Sequence, residues 1–260
     1  MVSTASRGIG LEFTRQLLAR PDTRVFAVIR SHTPSKGIVS LLEQYGSRLT
    51  VVPSVDLTDL SSIAAGVDVI STACKGRAAH PIDLLINCAG ILGDNSPNMP
   101  GPEKSILKVD PQWLELTMQV NFMAHVLMTQ GIAPLMKRTI KKNISVDNTN
   151  ISKIINISAR VGSIGDNVLG GWLSYRCSKA ALNQFTKTAS IELKRYNCAV
   201  ISLHPGTTST DLSMPFQKNL PSGQLMSPED ACSKMMAVIN RAGPDDSGGF
   251  FAYDGTRIVW

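Results

Sequence analysis

Three side chains between positions 153 and 182 can perform proton chemistry together. The stretch reads KIINISARVGSIGDNVLGGWLSYRCSKAAL. An apolar run ends on the hydroxyl of Ser158, a glycine-rich loop follows, and a helix opens near Tyr175 with Lys179 four residues on. Residues at i and i+4 share a helix face, so the Tyr175 phenol and the Lys179 ammonium can address one point. A nearby cation favours phenolate over phenol and lowers a tyrosine pKa. That makes the phenol a general acid/base near neutral pH. Ser158, at the end of a strand, supplies a second hydroxyl to the same point. The same spacing is common on solvated helix faces, so the elements around it must decide its meaning.

Those elements alternate. Ile9, Phe13 and Leu17 fall at i, i+4 and i+8, which predicts a helix from Gly8 to Gly10 onward, after a small-residue loop from Ser3 to Gly10. A loop of this kind lets backbone N–H groups and a helix N-terminus meet a phosphate. Arg24–Arg30 is a short β-rich run that ends on a basic residue. An acid at that place suits a free ribose 2′-OH and a base suits a 2′-phosphate. Arg30, with Arg7 in the loop, therefore points to NADP(H) over NAD(H). A helix is expected at Ile38–Tyr45, a strand at Leu49–Val55, then Asp56-Leu57-Thr58-Asp59 and a helix to Lys75. Asp59 or Thr58 can cap that helix, while Asp56 can instead accept from an adenine amino group. A fourth strand, Ile82–Ile86, runs into Asn87-Cys88-Ala89-Gly90, small enough for a flat ligand to lie close.

A long helix is expected over Gln112–Arg138, with Asn121 among apolar positions, where a buried amide needs partners. Thr139–Ser152 reads as an exposed polar loop. The fifth strand leads to Ser158, a helix spans Ser174–Tyr196, and a sixth strand, Ala199–Leu203, ends on His204-Pro205-Gly206. Thr207–Met226 has the length and composition of a lid. Ser227-Pro228-Glu229-Asp230 is a strong helix start, and that helix runs to Arg241 before a last strand at Gly249–Tyr253. This pattern means an α/β fold, a doubly wound parallel sheet of Rossmann type, as one domain over residues 1–260. Ligands bind such sheets outside the carboxyl ends of the strands. Gly8, Arg30, Asp56, Asn87 to Gly90, Ser158 and Pro205-Gly206 all fall there.

Composition narrows the classes. The chain has 260 residues, 43% of them hydrophobic, enough for one large core. The net charge of +6 is scattered; only Lys137, Arg138, Lys141 and Lys142 cluster, without interleaved aromatics, which argues against nucleic acid and suits an anionic ligand. The five cysteines have no CxxC spacing and read as free thiols of a reducing compartment. No histidine pair has ligand spacing, so no metal is expected. There is no apolar run near the ~20 residues a bilayer needs, and no secretory signal. A cytoplasmic protein away from membranes is expected, with an organellar transit peptide lost upstream as the alternative. The N-x-S triplets at Asn143, Asn150 and Asn156 read as accidental.

With these residues placed, the chain resembles the short-chain dehydrogenase/reductase family over essentially its whole length. The likeness rests on TASRGIG, DLTD at 56–59, NCAG where the family has NNAG, Asn121, Ser158, YRCSK and the later PG. The long gap from Ser158 to Tyr175 and the HPGTTSTDL segment are similar to the C-factor and sniffer-like carbonyl reductase branch. The resemblance implies hydride transfer between NADP(H) and a carbonyl/alcohol pair. It implies Tyr175 as proton donor or acceptor, Lys179 lowering its pKa and binding the nicotinamide ribose, Ser158 polarising the substrate carbonyl, and Asn121 holding a relay water. Ser6, Arg7 and Ile9 would hold the cofactor phosphates, and Asp56 and Leu57 would meet the adenine. Asn87, Ala89 and Gly90 would meet the adenosine ribose, and Pro205, Gly206, Thr208 and Thr210 the nicotinamide and pyrophosphate. Family members form dimers or tetramers, so a homo-dimer or homo-tetramer is implied. Leu169, Trp172, Leu212, Met214 and Phe216 suggest an apolar small-molecule substrate.

The chain departs from the family at its start. In the family pattern T-G-x-x-x-G-x-G the first glycine, which permits a tight turn where φ can be positive and a Cβ is costly, is here Thr4. Only Met1 and Val2 stand where the central first strand of a 3-2-1-4-5-6-7 sheet belongs. The expectation is a truncated version with a largely missing first strand, unpaired backbone and a groove through the core, each buried unsatisfied group costing ~1–3 kcal/mol. This leaves a second reading open: a catalytically impaired Rossmann-fold binding or signalling protein.

Overall fold

The structure, a computed structural model, describes residues 1–75, 82–136, 151–221 and 223–260. Seven strands form one parallel sheet: β1 (Val2–Ser3), β2 (Val25–Val28), β3 (Leu49–Val52), β4 (Leu84–Asn87), β5 (Ser152–Ile157), β6 (Cys198–His204) and, last in the chain, β9 (Phe250–Ala252). Their order is β3-β2-β1-β4-β5-β6-β9, with every neighbouring pair parallel. This is the expected doubly wound sheet. A separate two-stranded ribbon pairs β7 (Thr207–Thr208) with β8 (Leu225–Met226) and closes the base of the segment expected as a lid.

Helices cover both faces because each carries one apolar stripe. On one face, α1 (Gly8–Leu18), α2 (Lys36–Tyr45) and α7 (Pro228–Arg241) bury Phe13, Leu17, Ile38, Leu41, Met235 and Ile239. On the other, α3 (Leu60–Lys75), α4 (Pro111–Met118), α5 (Ala124–Ile132) and α6 (Leu173–Glu192) bring Ile63, Ile70, Met128, Ile132 and Ala189 against the strands. The start of α7 follows its sequence: Ser227 Oγ accepts from Asp230 N at 3.0 Å, with Pro228 leading the first turn.

The groove expected at the sheet centre does not open. Val2 pairs with Ala27 and Ile86, and Ser3 with Val28 and Asn87. Main-chain bonds continue the ladder past both ends: Met1 N donates to Leu84 O at 2.7 Å, Ile86 N to Met1 O at 2.9 Å, and Ala5 N to Val28 O at 2.8 Å. Two strand residues suffice because the flanking residues supply the remaining bonds. Val2 is fully buried between the layers.

The long helix expected over Gln112–Arg138 is interrupted. A π-turn, Gln119–Met123, joins α4 to α5, and a 3₁₀ turn, Ala133–Met136, follows. A π-turn adds a residue per turn and is common at functional sites; Asn121 lies inside it. Residues 137–150, including the basic cluster at Lys137, Arg138, Lys141 and Lys142 and the triplets at Asn143 and Asn150, lie outside the described residues. Asn156 is buried in β5. Among the described residues no helix is long and apolar enough to cross a membrane.

Thr4 has φ +66°, the left-handed conformation that the lost glycine would take freely. The turn brings the Thr4 carbonyl so close to α1 that a Cβ on Gly10 would collide with it, an approach that glycine at position 10 permits. Left-handed backbone costs an L-residue ~1–2 kcal/mol. Thr4→Gly is expected to raise the melting temperature by about 2–4 °C, the shift that ~1 kcal/mol gives in a chain of this size. Thermal unfolding followed by circular dichroism checks this.

Candidate active site

The site is built where the C-terminal edge of β5 meets the first two turns of α6. Tyr175 and Lys179 are both buried on the α6 face that packs against the sheet. The Lys179 ammonium donates to Ile157 O at 2.8 Å and stands 5.9 Å from the centre of the Tyr175 ring. The chain can approach this closely because position 162 is glycine: a Cβ there would stand 2.7 Å from the Lys179 Cβ.

Ser158 follows β5 directly, anchored by its N–H to Leu203 O at 2.9 Å. Its hydroxyl donates to Asn183 Oδ1 at 2.7 Å, and Asn183 Nδ2 in turn donates to Gly162 O at 3.2 Å. Asn183 lies one turn beyond Lys179, so Tyr175, Lys179 and Asn183 form one i, i+4, i+8 line.

Electrostatics at the site differ from the sequence expectation. Burial pushes Lys179 down to about 8 and pushes the Tyr175 phenol up. The i+4 spacing led to the expectation that Lys179 would lower Tyr175. Desolvation of the phenolate outweighs that, because the ammonium is engaged with Ile157 O and the ring is enclosed. Burial therefore favours the neutral phenol of Tyr175.

Asn121 binds the loop after β4 with its whole amide. Oδ1 accepts from Ile91 N at 2.7 Å, while Nδ2 donates to Ile91 O at 2.9 Å and to Ser178 Oγ at 3.0 Å. Ser178 Oγ donates to Tyr175 O at 2.8 Å, which ties the π-turn to α6. One turn on, His125 Nε2 stands 3.0 Å from Ala89 O. A carbonyl only accepts, so this nitrogen carries the proton. Burial and the Lys179 charge hold His125 neutral, with its pKa lowered to about 3. One turn further, Thr129 Oγ1 accepts from Asn87 Nδ2 at 3.0 Å. Residues 91, 89 and 87 are thus each held by a helix residue one turn after the last.

The residues expected to meet a cofactor lie along the same edge. Arg7 precedes α1 without a side-chain cap, and no acid stands in the first helical turn, so the helix N-terminus is open to an anion. Arg7 pairs with Asp211 at 2.8 Å, an exposed contact between this loop and the lid segment. A Cβ at Gly8 would touch the Thr210 methyl at 3.4 Å, so the two segments adjoin. Ser6 O accepts from Ser35 Oγ at 2.7 Å, and Ile9 stands at the start of α1. Arg30 is exposed just past β2. Asp56 Oδ1 accepts from Thr58 N and Oγ1, which with Arg30 nearby lowers its pKa. Gly206 has φ +71°, and Thr208 Oγ1 donates to Pro205 O at 3.3 Å. Gly90 sits where a Cβ would meet Lys179 Nζ, Asn121 Oδ1 and Leu212 within 3.8 Å. An uncapped helix start, tight glycines and a cation at the far end fit an elongated phosphate-bearing cofactor.

Two expected contacts have side chains turned elsewhere. Asn87 reaches into the interior, to Thr129 of α5 and Asn156 of β5, and Leu57 belongs to the apolar core. Of the apolar residues expected around a substrate, Trp172 stands edge-on to Tyr175 at 6.4 Å and tilted on Phe216 at 5.1 Å. Leu169 and Met214 are exposed. Asn183 and His125 were not singled out from the sequence, although each follows a flagged residue at i+4, the signal that would have found them.

The family model described as short chain dehydrogenase matches residues 1–221. The chain is 29% identical to the C-signal of Myxococcus xanthus over 196 residues, 73% of this chain and 97% of that protein. It superposes on the NADPH-bound carbonyl reductase from chicken fatty liver with a TM-score of 0.83 at 29% identity, covering 100% of this chain and 97% of that one. The carbonyl reductase Sniffer of D. melanogaster gives a TM-score of 0.81 at 27% identity, covering 99% and 97%.

A lysine whose pKa falls on folding penalises the native state while it is charged. The penalty disappears as pH rises from about 8 toward the ordinary lysine value of 10.5. The stability of the parent protein relative to Lys179→Met should therefore increase between these values. Urea unfolding of both proteins across that window checks the sign.

Proposed function

The chain belongs to the short chain dehydrogenase family and is an oxidoreductase, and we propose that it transfers hydride between NADP(H) and a carbonyl/alcohol pair with Tyr175 as the proton donor. The observation that carries this reading is the buried Tyr175–Lys179 pair on one face of α6, beside Gly90 and Asn121 at the edge of β4 and β5. The NADPH-bound state of the similar chicken enzyme supports the cofactor, as do Arg30 and Arg7 on the side where a 2′-phosphate would lie.

The amides around Ser6, Arg7 and Ile9 would hold the phosphates, with Thr210 and Thr208 from the lid segment beside them. Asp56 would take the adenine edge, Ala89 and Gly90 the adenosine ribose, Lys179 the nicotinamide ribose, and Pro205-Gly206 the nicotinamide face. When bound, this group supplies or takes the hydride. The residues of the chain manage the proton. In reduction, Tyr175 gives its phenolic proton to the carbonyl oxygen as negative charge develops there, and the buried Lys179 ammonium stabilises the phenolate left behind. Ser158 turns its hydroxyl from Asn183 to the same oxygen, exchanging one hydrogen bond for another. Asn121, its side chain already committed to Ile91 and Ser178, keeps the loop and α6 in register. Trp172, Phe216 and Leu92 offer an apolar wall beside Tyr175, which suits a substrate apolar next to its carbonyl.

The reading of a catalytically impaired binding protein rested on a missing first strand and an altered glycine loop; β1 is paired on both sides and Thr4 takes the positive φ of the glycine it replaces, so that reading is not favoured.

Tyr175→Phe should lower NADPH-dependent reduction of small aldehydes, ketones and quinones by about 10²–10⁴-fold, the usual worth of a general acid, while NADPH still binds. Stopped-time assays of NADPH oxidation, with binding read by cofactor fluorescence, test this; full activity in Tyr175→Phe would sink the reading. Arg30→Ala should raise the KM for NADPH about tenfold, the equivalent of ~1.4 kcal/mol, and leave that for NADH unchanged.

A further inference from the structure

Tyr175 is the third residue of α6, so its direction is set by the first helical turn, and nothing in that turn's own sequence caps it. Trp172, the residue before the helix, has φ +55° and provides no side-chain cap. It follows Gly170 and Gly171, which share the left-handed conformation at φ +64° and +65°. A tryptophan there is strained and persists only when its surroundings hold it. Arg176 holds one side, donating from its guanidinium to Gly171 O at 2.9 Å and Gly170 O at 3.1 Å.

The other side is held by Glu103, from the irregular segment after β4, some seventy residues away in the chain. Its carbonyl accepts from Trp172 N at 2.5 Å. Its carboxylate accepts from Ser174 N at 3.2 Å and from Ser174 Oγ. The residue is 5% exposed. A buried carboxylate is costly without partners, and here its partners are the open amides of a helix start, where negative charge is also favoured.

We propose that Glu103 is the positioning residue of the proton donor. Through Trp172 and Ser174 it fixes the first turn of α6, and with it the point that the Tyr175 hydroxyl addresses. Lys179 lies in the next turn, anchored independently on Ile157 O. Glu103 therefore governs proton delivery without governing cofactor affinity. The inference rests on the reading of Tyr175 as the proton donor.

The test compares Glu103→Ala, Glu103→Gln and Tyr175→Phe with the parent in the full chain. The readouts are kcat for a turned-over carbonyl compound, its solvent deuterium isotope effect, and NADPH Kd. A displacement near 1 Å costs up to about 10²-fold in rate. Glu103→Ala should therefore lose about ten- to a hundredfold in kcat, with an enlarged solvent isotope effect and an unchanged NADPH Kd. Glu103→Gln, which keeps the volume and one acceptor, should recover part of that loss. Should Glu103→Ala fail to fold, Glu103→Gln decides alone: reduced kcat with intact NADPH binding supports the proposal, and parental kcat overturns it. A lower melting temperature with parental kcat and isotope effect per NADPH-binding molecule also overturns it, because Glu103 would then be a structural cap alone. An active Tyr175→Phe would instead overturn the functional reading itself, and is distinguished by being independent of Glu103.

Discussion

Burial of the Lys179 ammonium is the constraint on which the site depends. A charge removed from water survives only with close partners, and the partner here is the last carbonyl of β5, Ile157 O. That bond requires α6 to cross the strand end at short range, and the contact is allowed because residue 162 has no side chain. The same crossing brings Asn183 to Ser158 and puts Tyr175 over the strand edge. A longer side chain at 162 or a shorter one at 179 would separate all of these together. The consequence is also electrostatic: the enclosure that orders the pair raises the phenol and lowers the amine, drawing both toward their neutral forms.

Much of this was legible in the sequence, because the signals were local. Alternating strands and helices gave the layers, and the i+4 spacing of Tyr175 and Lys179 put them on one face, as observed. Thr4 was flagged as a costly replacement for glycine, and it has the positive φ that makes it so. Other features were hidden for identifiable reasons. A two-residue strand has no periodicity to detect, so β1 reads as largely missing although both its edges are paired. The π-turn at Gln119–Met123 adds one residue to a helical pattern already apolar on several sides, and so passed as a continuous helix. The direction of the Tyr175 shift depends on enclosure, which spacing does not report. Glu103 was invisible because its partners at Trp172 and Ser174 are set by the tertiary fold alone.

The polar line Asn121, His125, Thr129 shows how one helix can order an extended loop. The residues it holds, Asn87 at the end of β4 and residues 89 and 91 in the loop beyond, alternate along the chain, while the helix residues recur at every fourth position. An extended pair spans about 6–7 Å and four helical residues about 6 Å, so two dissimilar repeats stay in step over this short distance.

That matched spacing implies a division of tolerance within the molecule. Removal of Phe122 or Met123 from the π-turn would rotate Asn121 by about 100° relative to His125 and Thr129, detaching the loop from its rail. The stretches 87–91 and 121–129 therefore cannot change length. The segments 93–110 and 207–226 lie outside that rail and meet the start of α6 through anchors such as Glu103 and Phe216; between such anchors their length does not enter the match. A fold wired in this way can acquire new substrates by remodelling its outer loops while the gauge of its inner track stays constant.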